Sequence, residues 1–471
     1  MARLKEREYT YFKTVRGMCR ACRKIVPARV FFQDGRVWQQ SLCSSCENKP
    51  SLIAGSREWY LEHVVRDFPD QSPIKGSKPP SKGCPHDCGP CTWHASPCQL
   101  PVISVTNACN LNCPICFTYN RADRTYHMPA EEMRRTVDWI IEASERVDLI
   151  NITGGEPTMH PDIIALLKCC QRPEIGRITM NSNGIRLAQD KDLCRQLGEL
   201  GIHVILSFNT LDPAVSVRLH GCDIVQTKLE AIENLRQAGV NMTLLNVMIR
   251  GANEHAIGDI FSLMRANDHI LSLTVQTMTY TGQGGGRQPD RLHIPVDEAA
   301  RIVCSQSGGA LEFSDFLTRP SAHPLCYLTS YMLKSEDKLL PLARVVPSEK
   351  LLAWMAGSYL MRMDGEDQYF KDIINDLYAK GDAGNLKLFR GLIETLYPRG
   401  GMPGVFERQK LAESCVRTVY IHSHMDENTF DSSRAMMCPD LVPAKPGKLI
   451  PACTYNLFYR MDDERFYVRP E

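Results

Sequence analysis

The sequence predicts an α/β fold: a partial, TIM-like (β/α)6 barrel, preceded by a small metal-binding ribbon and followed by a separate α-rich C-terminal domain. Three observations carry this. Apolar, β-branched runs of strand length occur at Leu100 to Val105, Val147 to Ile152, Arg177 to Met180, His203 to Phe208, Met242 to Ile249 and Leu271 to Met278. Amphipathic helical patterns separate them, such as Glu131 to Ser144, with Met133, Val137, Ile140 and Ile141 on one face, and Val225 to Ala238, with Leu229, Ile232 and Leu235. The 20 cysteines of the 471 residues fall largely into groups with ligand spacing. Right-handed βα units build a parallel sheet whose sites lie at the C-terminal strand ends, and six of them leave an open side that would admit substrate.

The length allows two to four domains, and 43% hydrophobic residues fill their cores. A formal net charge of +1, with no long basic run, argues against nucleic acid as a partner. Met1 to Arg16 is charged and lacks an apolar signal-peptide core. No run of about eighteen apolar residues is present, so the chain is not expected to span a membrane. A cytoplasmic protein is expected, whose cysteines hold metal rather than disulfides. The expected boundaries are 1–70 for the ribbon, 71–99 for a linker with a first auxiliary cysteine group, 100–286 for the barrel and 287–471 for the C-terminal domain.

Cys19 and Cys22 are joined to Cys43 and Cys46 by an extended stretch, Val26 to Gln40, with Asp34-Gly35 as a hairpin turn. Two CxxC knuckles on a hairpin make a four-thiolate site for zinc or a rubredoxin-like iron. Pro69 to Lys82 reads as a linker. Cys84, Cys88 and Cys91 follow at CxxxCxxC spacing, with Cys98 near enough to close the site as an auxiliary 4Fe-4S cluster; a second zinc site has the same spacing.

The first barrel strand runs directly into Cys109, Cys113 and Cys116, again CxxxCxxC but with no fourth cysteine nearby. Such a loop can hold three irons of a 4Fe-4S cubane and leave the fourth open, although the spacing alone also suits a zinc or structural site. The second strand ends in Thr153-Gly154-Gly155-Glu156-Pro157, the third in Asn181-Ser182-Asn183-Gly184, and Ser207 and Asn209 flank the end of the fourth. Cys169, Cys170, Cys194, Cys222 and Cys304 lack ligand spacing and read as buried small hydrophobes. After Gly284-Gly285-Gly286 the pattern changes to helical segments at Val296 to Cys304, Leu351 to Met361 and Tyr369 to Tyr397, the last split at Lys380-Gly381. Cys326, Cys438 and Cys453 lie in proline-containing loops and could jointly hold a further cluster, with Cys415 or a non-cysteine group as the fourth ligand.

The Cys109 loop with Phe117, followed by the glycine pair and Glu156, resembles the radical SAM superfamily. The successive Cys84 and Cys109 groups, the ribbon, and the terminal Ile450-Pro451-Ala452-Cys453-Thr454-Tyr455-Asn456 look like one family within it. That family was long labelled dihydro-hydroxymethylpterin methyltransferases and includes archaeal tetraether lipid synthases. The resemblance covers most of the chain and is weakest from about Ala343 to Thr418.

This resemblance implies S-adenosylmethionine (SAM) chelated by the open iron and cleaved to a 5′-deoxyadenosyl radical, which abstracts hydrogen from an unactivated C–H bond. It implies two or three 4Fe-4S clusters, the last at Cys326, Cys438 and Cys453, and zinc or mononuclear iron in the ribbon. Gly154, Gly155 and Glu156 would hold the methionyl amino group of SAM, and Phe117 and Thr153 are further cofactor-binding residues. Asn181, Ser182 and Asn183 suit its ribose, and Ser207 and Asn209 its carboxylate. A flavodoxin- or ferredoxin-like reductant and a small-molecule or lipid substrate are implied as partners. The reaction would be C–C bond formation, as hydrocarbon coupling or C-methylation, or tailoring of a pterin or other intermediate. A non-catalytic Fe-S electron carrier explains the cysteines but not the glycine pair or the six βα units. The proton or hydrogen-atom donor stays unassigned, Tyr455 beside the expected third cluster being a guess.

Overall fold

The computed structural model describes residues 8–64, 77–89, 91–120, 124–144, 147–288, 291–334, 338–355, 359, 367–397, 404–445 and 447–467. Most of the sequence-predicted linker, 69–76, lies outside them, as do 356–358, 360 and 361 of the expected helix beginning at Leu351.

The ribbon is a four-stranded antiparallel sheet of β1 (Thr10–Met18), β2 (Ile25–Gln33), β3 (Arg36–Ser41) and β4 (Ser51–Ala54). Gln33 pairs with Arg36 across a two-residue turn in which Asp34 and Gly35 have φ of 51° and 69°. Positive φ at both positions matches the twist of a hairpin, which is why Asp-Gly occupies it. The sheet docks on the rest of the chain through Phe32, Val37 and Ile53, which share the main core, and through polar contacts: Gln39 Nε2 donates to Phe430 O at 2.8 Å, and the Gly55 and Ser56 N–H groups donate to the Asp297 carboxylate.

The six predicted runs are all strands: β5 (Leu100–Ser104), β6 (Val147–Thr153), β7 (Ile175–Ser182), β8 (His203–Ser207), β9 (Met242–Met248) and β10 (Ile270–Thr277), each parallel to its neighbour. Period-two alternation divides their side chains. Val204, Leu206, Leu244, Leu273 and Val275 face outward into one continuous core with Leu193, Leu197, Leu235 and Ile260 of the covering helices. Burial of each such side chain contributes about 1.5–3 kcal/mol. Helices Ala130–Ser144 and Val225–Gln237 bury the predicted faces, through Met133, Val137 and Ile140 in one and Ile232 and Leu235 in the other.

The segment after 286 differs from the expectation of a separate α-rich domain. Past β11 (Leu317–Thr318), β12 (Tyr327–Lys334) and β13 (Leu339–Pro341), two of its strands join the barrel sheet in parallel. β14 (Val416–His422) pairs with β10, and β15 (Asp440–Lys445) pairs with β5. Eight strands thus run parallel, with β12 antiparallel outside β14 and β16 (Lys448–Pro451) antiparallel outside β15. The expected open side is occupied by these strands. The two ends of the sheet approach each other, since Tyr327 and Tyr359 both donate to the buried Asp440 carboxylate and His422 Nε2 lies 3.8 Å from it. Helices Ser348–Met355, Asp367–Ala379, Ala383–Leu396 and Val405–Cys415 do form the expected helical part, around a second core of Leu351, Ile373, Leu377, Phe389 and Leu392. Glu413 of the last helix pairs with Arg177 of β7, covering the N-terminal end of the barrel.

The Gly-rich stretch expected as a boundary is a short helix, Gly282–Gly285, packed on the Cys109 loop. Gly284 and Gly285 N–H both donate to Cys116 O at 2.9 Å, and a Cβ on Gly284 would run into the carbonyl of Cys113. Glycine is required there for close backbone approach, not for flexibility.

Candidate functional site

Inward-facing residues of the parallel strands enclose a cavity of about 410 Å³, closed at the C-terminal strand ends by the Cys109–Phe117 loop. Its wall includes Ser104, Asn151, Arg177, Thr179, His203, Thr243, Ser272, Gln276, His422 and Asp440 besides Leu149, Ile205 and Leu245. Polar residues bond one another across strands: His203 Nε2 is 2.8 Å from Thr243 Oγ1, which is 2.7 Å from Ser272 Oγ.

Cys109, Cys113 and Cys116 all line the cavity. Burial and the two neighbouring thiols push Cys113 up to about 12, so a cation must bind before it ionises at neutral pH. Gly154 and Gly155 bring β6 against this loop. Gly155 N donates to Thr106 O at 2.7 Å and Glu156 N to Ala108 O at 2.8 Å, and a Cβ on either glycine would strike the Thr106 or Ala108 carbonyl. The close approach these glycines permit is thus to the loop's own backbone.

Glu156 is 2% exposed. Its carboxylate accepts from Thr158 Oγ1 at 2.7 Å, Ser182 Oγ at 2.9 Å and Asn183 N at 2.7 Å, while Asn183 Nδ2 donates to Asn110 Oδ1 at 2.7 Å. Burial pushes Glu156 above its ordinary range against these hydrogen bonds. Asn209 is likewise committed, with Oδ1 accepting from Val247 N at 2.7 Å and Nδ2 donating to His220 Nε2 at 3.0 Å. Thr153 and Ser207 line the cavity, and so does Asn181, whose buried Oδ1 has no hydrogen-bond partner among the described residues. An orphaned acceptor facing a cavity fits a ligand hydroxyl.

The ribbon sulfurs of Cys19, Cys22, Cys43 and Cys46 lie within 4.8 Å of one another and could hold a metal ion, as expected of paired knuckles. Against burial, the Cys22 N–H and the Asn48 amide hold Cys19 down at about 6, which favours the thiolate. Cys84, Cys88 and Cys91 border one small hollow together with His94 and Met436. Cys98 does not join them. It packs with Trp139 against Leu441 and Leu449, whereas Cys88 packs on Val442, Ala444 and Ile450, the opposite face of the β15–β16 hairpin. The expected fourth thiol of this group is therefore turned away by the strand alternation.

Cys326, Cys438 and Cys453, far apart in sequence, are near enough for their charges to act on one another, while among the described residues only the ribbon sulfurs form a group within 4.8 Å. Burial first, and then the charges of Asp440 and the other two thiols, raise Cys438 well above its ordinary value. The guanidinium of buried Arg434 donates from both Nε and Nη2 to Cys326 Sγ at 3.4 Å. Cys415 is excluded as their partner, because it precedes β14 at the end opposite His422 and packs in the helical core. Tyr455 lines the cavity, but its hydroxyl donates to Asp463 Oδ2 at 2.8 Å. Cys170 and Cys194 are buried as expected, Cys169 and Cys304 are half-buried, and Cys222 is exposed because it follows the Gly221 turn after the helix.

Several site residues escaped the sequence reading. Phe117 stacks on His424, with ring centroids 4.9 Å apart. Burial, and next Arg434, pull His424 down to about 4, leaving its ring neutral at physiological pH. Lys228, 2% exposed, reaches His220 Nε2 at 3.3 Å and is pulled by burial to about 8. The polar His422-Ser423-His424 run at a strand's end was the one available signal for the first of these.

Residues 103–264 match the family model of the radical SAM superfamily and are a radical SAM domain. The chain thereby carries a radical SAM domain, and SAM and a 4Fe-4S cluster are the cofactors of that superfamily. Over 97% of its length it is similar, at 25% identity, to 96% of a 7,8-dihydro-6-hydroxymethylpterin dimethyltransferase of Methanocaldococcus jannaschii. It is 30% identical over 36% of its length to a probable GTP 3′,8-cyclase of Pyrococcus abyssi, spanning about half (54%) of that protein. Among solved structures, SuiB of Streptococcus suis bound to S-adenosylmethionine matches 45% of this chain and 44% of its own at 21% identity and a TM-score of 0.37. Methylornithine synthase matches 46% of this chain and 65% of its own at 16% identity and a TM-score of 0.34. Among the described residues, no helix is long and apolar enough to cross a membrane.

Proposed function

We propose that the enzyme abstracts hydrogen from an unactivated C–H bond of a compact, polar small molecule and forms a C–C bond there, as in C-methylation. The observation that carries the substrate class is the wall of the cavity. Its volume of about 410 Å³ lies in the small-molecule range, and the Gln276 amide on its wall offers hydrogen bonds that a hydrocarbon chain cannot use, whereas Arg177, His203 and Asp440 are partnered by Glu413, Thr243 and two tyrosines. The similarity to a pterin dimethyltransferase over nearly the whole chain supports a heterocycle of that kind.

Cys109, Cys113 and Cys116 would hold the 4Fe-4S cluster, which with SAM on its open iron supplies reductive cleavage to a 5′-deoxyadenosyl radical. The orphaned Asn181 Oδ1 suits a ribose hydroxyl, while Thr153, the Gly154-Gly155 edge and Ser207 suit the methionyl end. Glu156, Ser182, Asn183 and Asn209 act as positioning residues, since their polar atoms tie the strand ends to one another and, through Asn183, to Asn110 of the loop. The ribbon takes zinc or iron, and the Cys84 and Cys326 groups take auxiliary clusters fed by a flavodoxin- or ferredoxin-like donor. We divide the chain functionally into ribbon 1–70, auxiliary segment 71–99, core 100–286 and C-terminal part 287–471.

The substrate class is tested by giving the reconstituted enzyme SAM and dithionite with either a reduced hydroxymethylpterin or a dialkylglycerol lipid, then measuring 5′-deoxyadenosine and product masses. The pterin is expected to stimulate deoxyadenosine formation and gain carbon. Stimulation by the lipid alone, with a coupled hydrocarbon product, contradicts a polar substrate.

A further inference from the structure

Arg23 follows Cys22, the second thiol of the first ribbon knuckle. Its N–H donates to Cys19 O at 2.8 Å and the Cys19 N–H to Lys24 O at 2.9 Å, so the turn that presents both thiols also fixes Arg23. Its φ is 58°, in the left-handed region where glycine is the ordinary occupant. A side chain kept at such a position is held there by contacts made elsewhere.

Those contacts cross to two other parts of the chain. Arg23 Nη1 donates to Glu427 Oε1 at 3.1 Å, and Nη2 donates to Leu457 O. Glu427 is buried; the same Oε1 accepts from Thr281 Oγ1 at 3.0 Å, and Oε2 accepts from Arg291 Nη1 at 3.2 Å. Among the described residues, Arg23 is the partner of Glu427 that comes from the ribbon. Thr281 immediately precedes the short glycine helix, whose Gly284 and Gly285 N–H groups hold Cys116 O. Leu457 lies in the helical turn Tyr455–Tyr459, where the neighbouring Asn456 donates through Nδ2 to Phe117 O. The two arms of one guanidinium thus end on the supports of two consecutive carbonyls, those of Cys116 and Phe117.

We propose that Arg23 is a positioning residue for the Cys109 loop, and that a metal ion on Cys19, Cys22, Cys43 and Cys46 acts through it. The four-thiolate site fixes the knuckle, the knuckle fixes the guanidinium, and the guanidinium fixes the elements that hold the end of the loop. The inference rests on reading the Cys109 loop as the SAM-cluster site. The ribbon sulfurs lie within 4.8 Å of one another, which fits one tetrahedral ion. The role asked of that ion is structural, so zinc suffices.

The test uses the full-length chain with zinc in the ribbon and the other groups reconstituted anaerobically with iron and sulfide. Wild type is compared with Arg23→Gly, Cys46→Ser, their combination, and Lys24→Ala. Glycine suits the left-handed turn, so Arg23→Gly removes only the guanidinium; Lys24 is exposed in the same turn and serves as the control. Zinc per chain, deuterium exchange at the Gly284 and Gly285 amides, iron release to a chelator, and the EPR change of the reduced cluster on adding SAM are measured, with Cys113→Ala defining the loop's share of the iron. Arg23→Gly is expected to keep its zinc but to exchange these amides and release loop iron about tenfold faster, the loss of charge-assisted hydrogen bonds. It should also need more SAM for the same EPR change, while Lys24→Ala behaves as the wild type. Cys46→Ser should reproduce these effects, and the double variant should add nothing to them, because metal and guanidinium act on one route. Wild-type exchange and iron release in Arg23→Gly overturn the proposal, and so do additive effects in the double variant. If Cys113→Ala releases as much iron as the wild type, the loop holds no cluster and the underlying reading fails, while exchange at the two glycine amides still decides the part played by Arg23.

Discussion

At the scale of single residues, the site divides into groups that hold ligands and groups that hold the loop. We propose Asn181 for the first. Asn181→Ala is expected to weaken SAM binding by about tenfold, the loss of one hydrogen bond of roughly 1 kcal/mol or slightly more, with no change in Tm; equilibrium dialysis of the reconstituted protein checks this. Glu156 belongs to the second, since Glu156→Ala would strand the Ser182, Thr158 and Asn183 donors. Asp426 gives a pH dependence. Burial alone would raise it, but His293, with Nε2 at 2.7 Å, together with Arg291 holds it well below the usual carboxylate range. Its folded value is below its unfolded one, so its stabilisation is present above about pH 4 and is lost as pH falls. Asp426→Asn should cost about 3 kcal/mol at pH 6 and flatten the fall in Tm between about pH 5 and pH 3. A variant whose Tm falls as steeply as the wild type in acid would show that Asp426 is not the group responsible.

At the scale of elements, the Cys109 loop is gripped from two sides, by the Gly154-Gly155 end of β6 and by the Gly282–Gly285 helix. Gly284→Ala is expected to cost about 1–3 kcal/mol through overpacking against Cys113 and to lower iron retention in the loop, while metal in the ribbon stays unchanged. Metal analysis beside a thermal melt checks both halves. The first was legible only as a place of close approach, read from sequence as approach to SAM, whereas the glycines meet the Thr106 and Ala108 carbonyls of the loop. The second was not, since a run of three glycines reads equally well as a linker. The same limit explains the strands. β5 to β10 declare themselves by apolar, β-branched runs spaced by helices, whereas β15 carries Pro443 and reads as a loop. β14 has alternating Val416, Thr418 and Tyr420 but begins in the stretch where the family pattern was weakest. Ligand spacing found the local cysteine groups; strand alternation, which spacing cannot see, turned Cys98 away from them.

At the scale of the whole molecule, the chain after 286 completes the barrel at both edges. A fragment of 100–286 lacks β14 and β15, leaving the flanks of β10 and β5 unpaired and the cavity wall without His422 and Asp440. Such a fragment is expected to aggregate or to show no cooperative melt, and a soluble fragment that unfolds cooperatively would show that the core stands without these strands. The cysteine groups converge in the full chain. Met18, beside Cys19, shares one small apolar cluster with Cys84 and Cys453, and Cys453 touches His424, which stacks on Phe117. The measurement that tests the central claim most directly is 5′-deoxyadenosine formation from SAM and dithionite by the anaerobically reconstituted protein, wild type beside Cys113→Ala. Deoxyadenosine from the wild type and none from Cys113→Ala, with iron kept at the other groups, is the predicted result. Reducible iron in the wild type without any deoxyadenosine, with or without substrate, would contradict the account and leave an Fe-S electron carrier in its place.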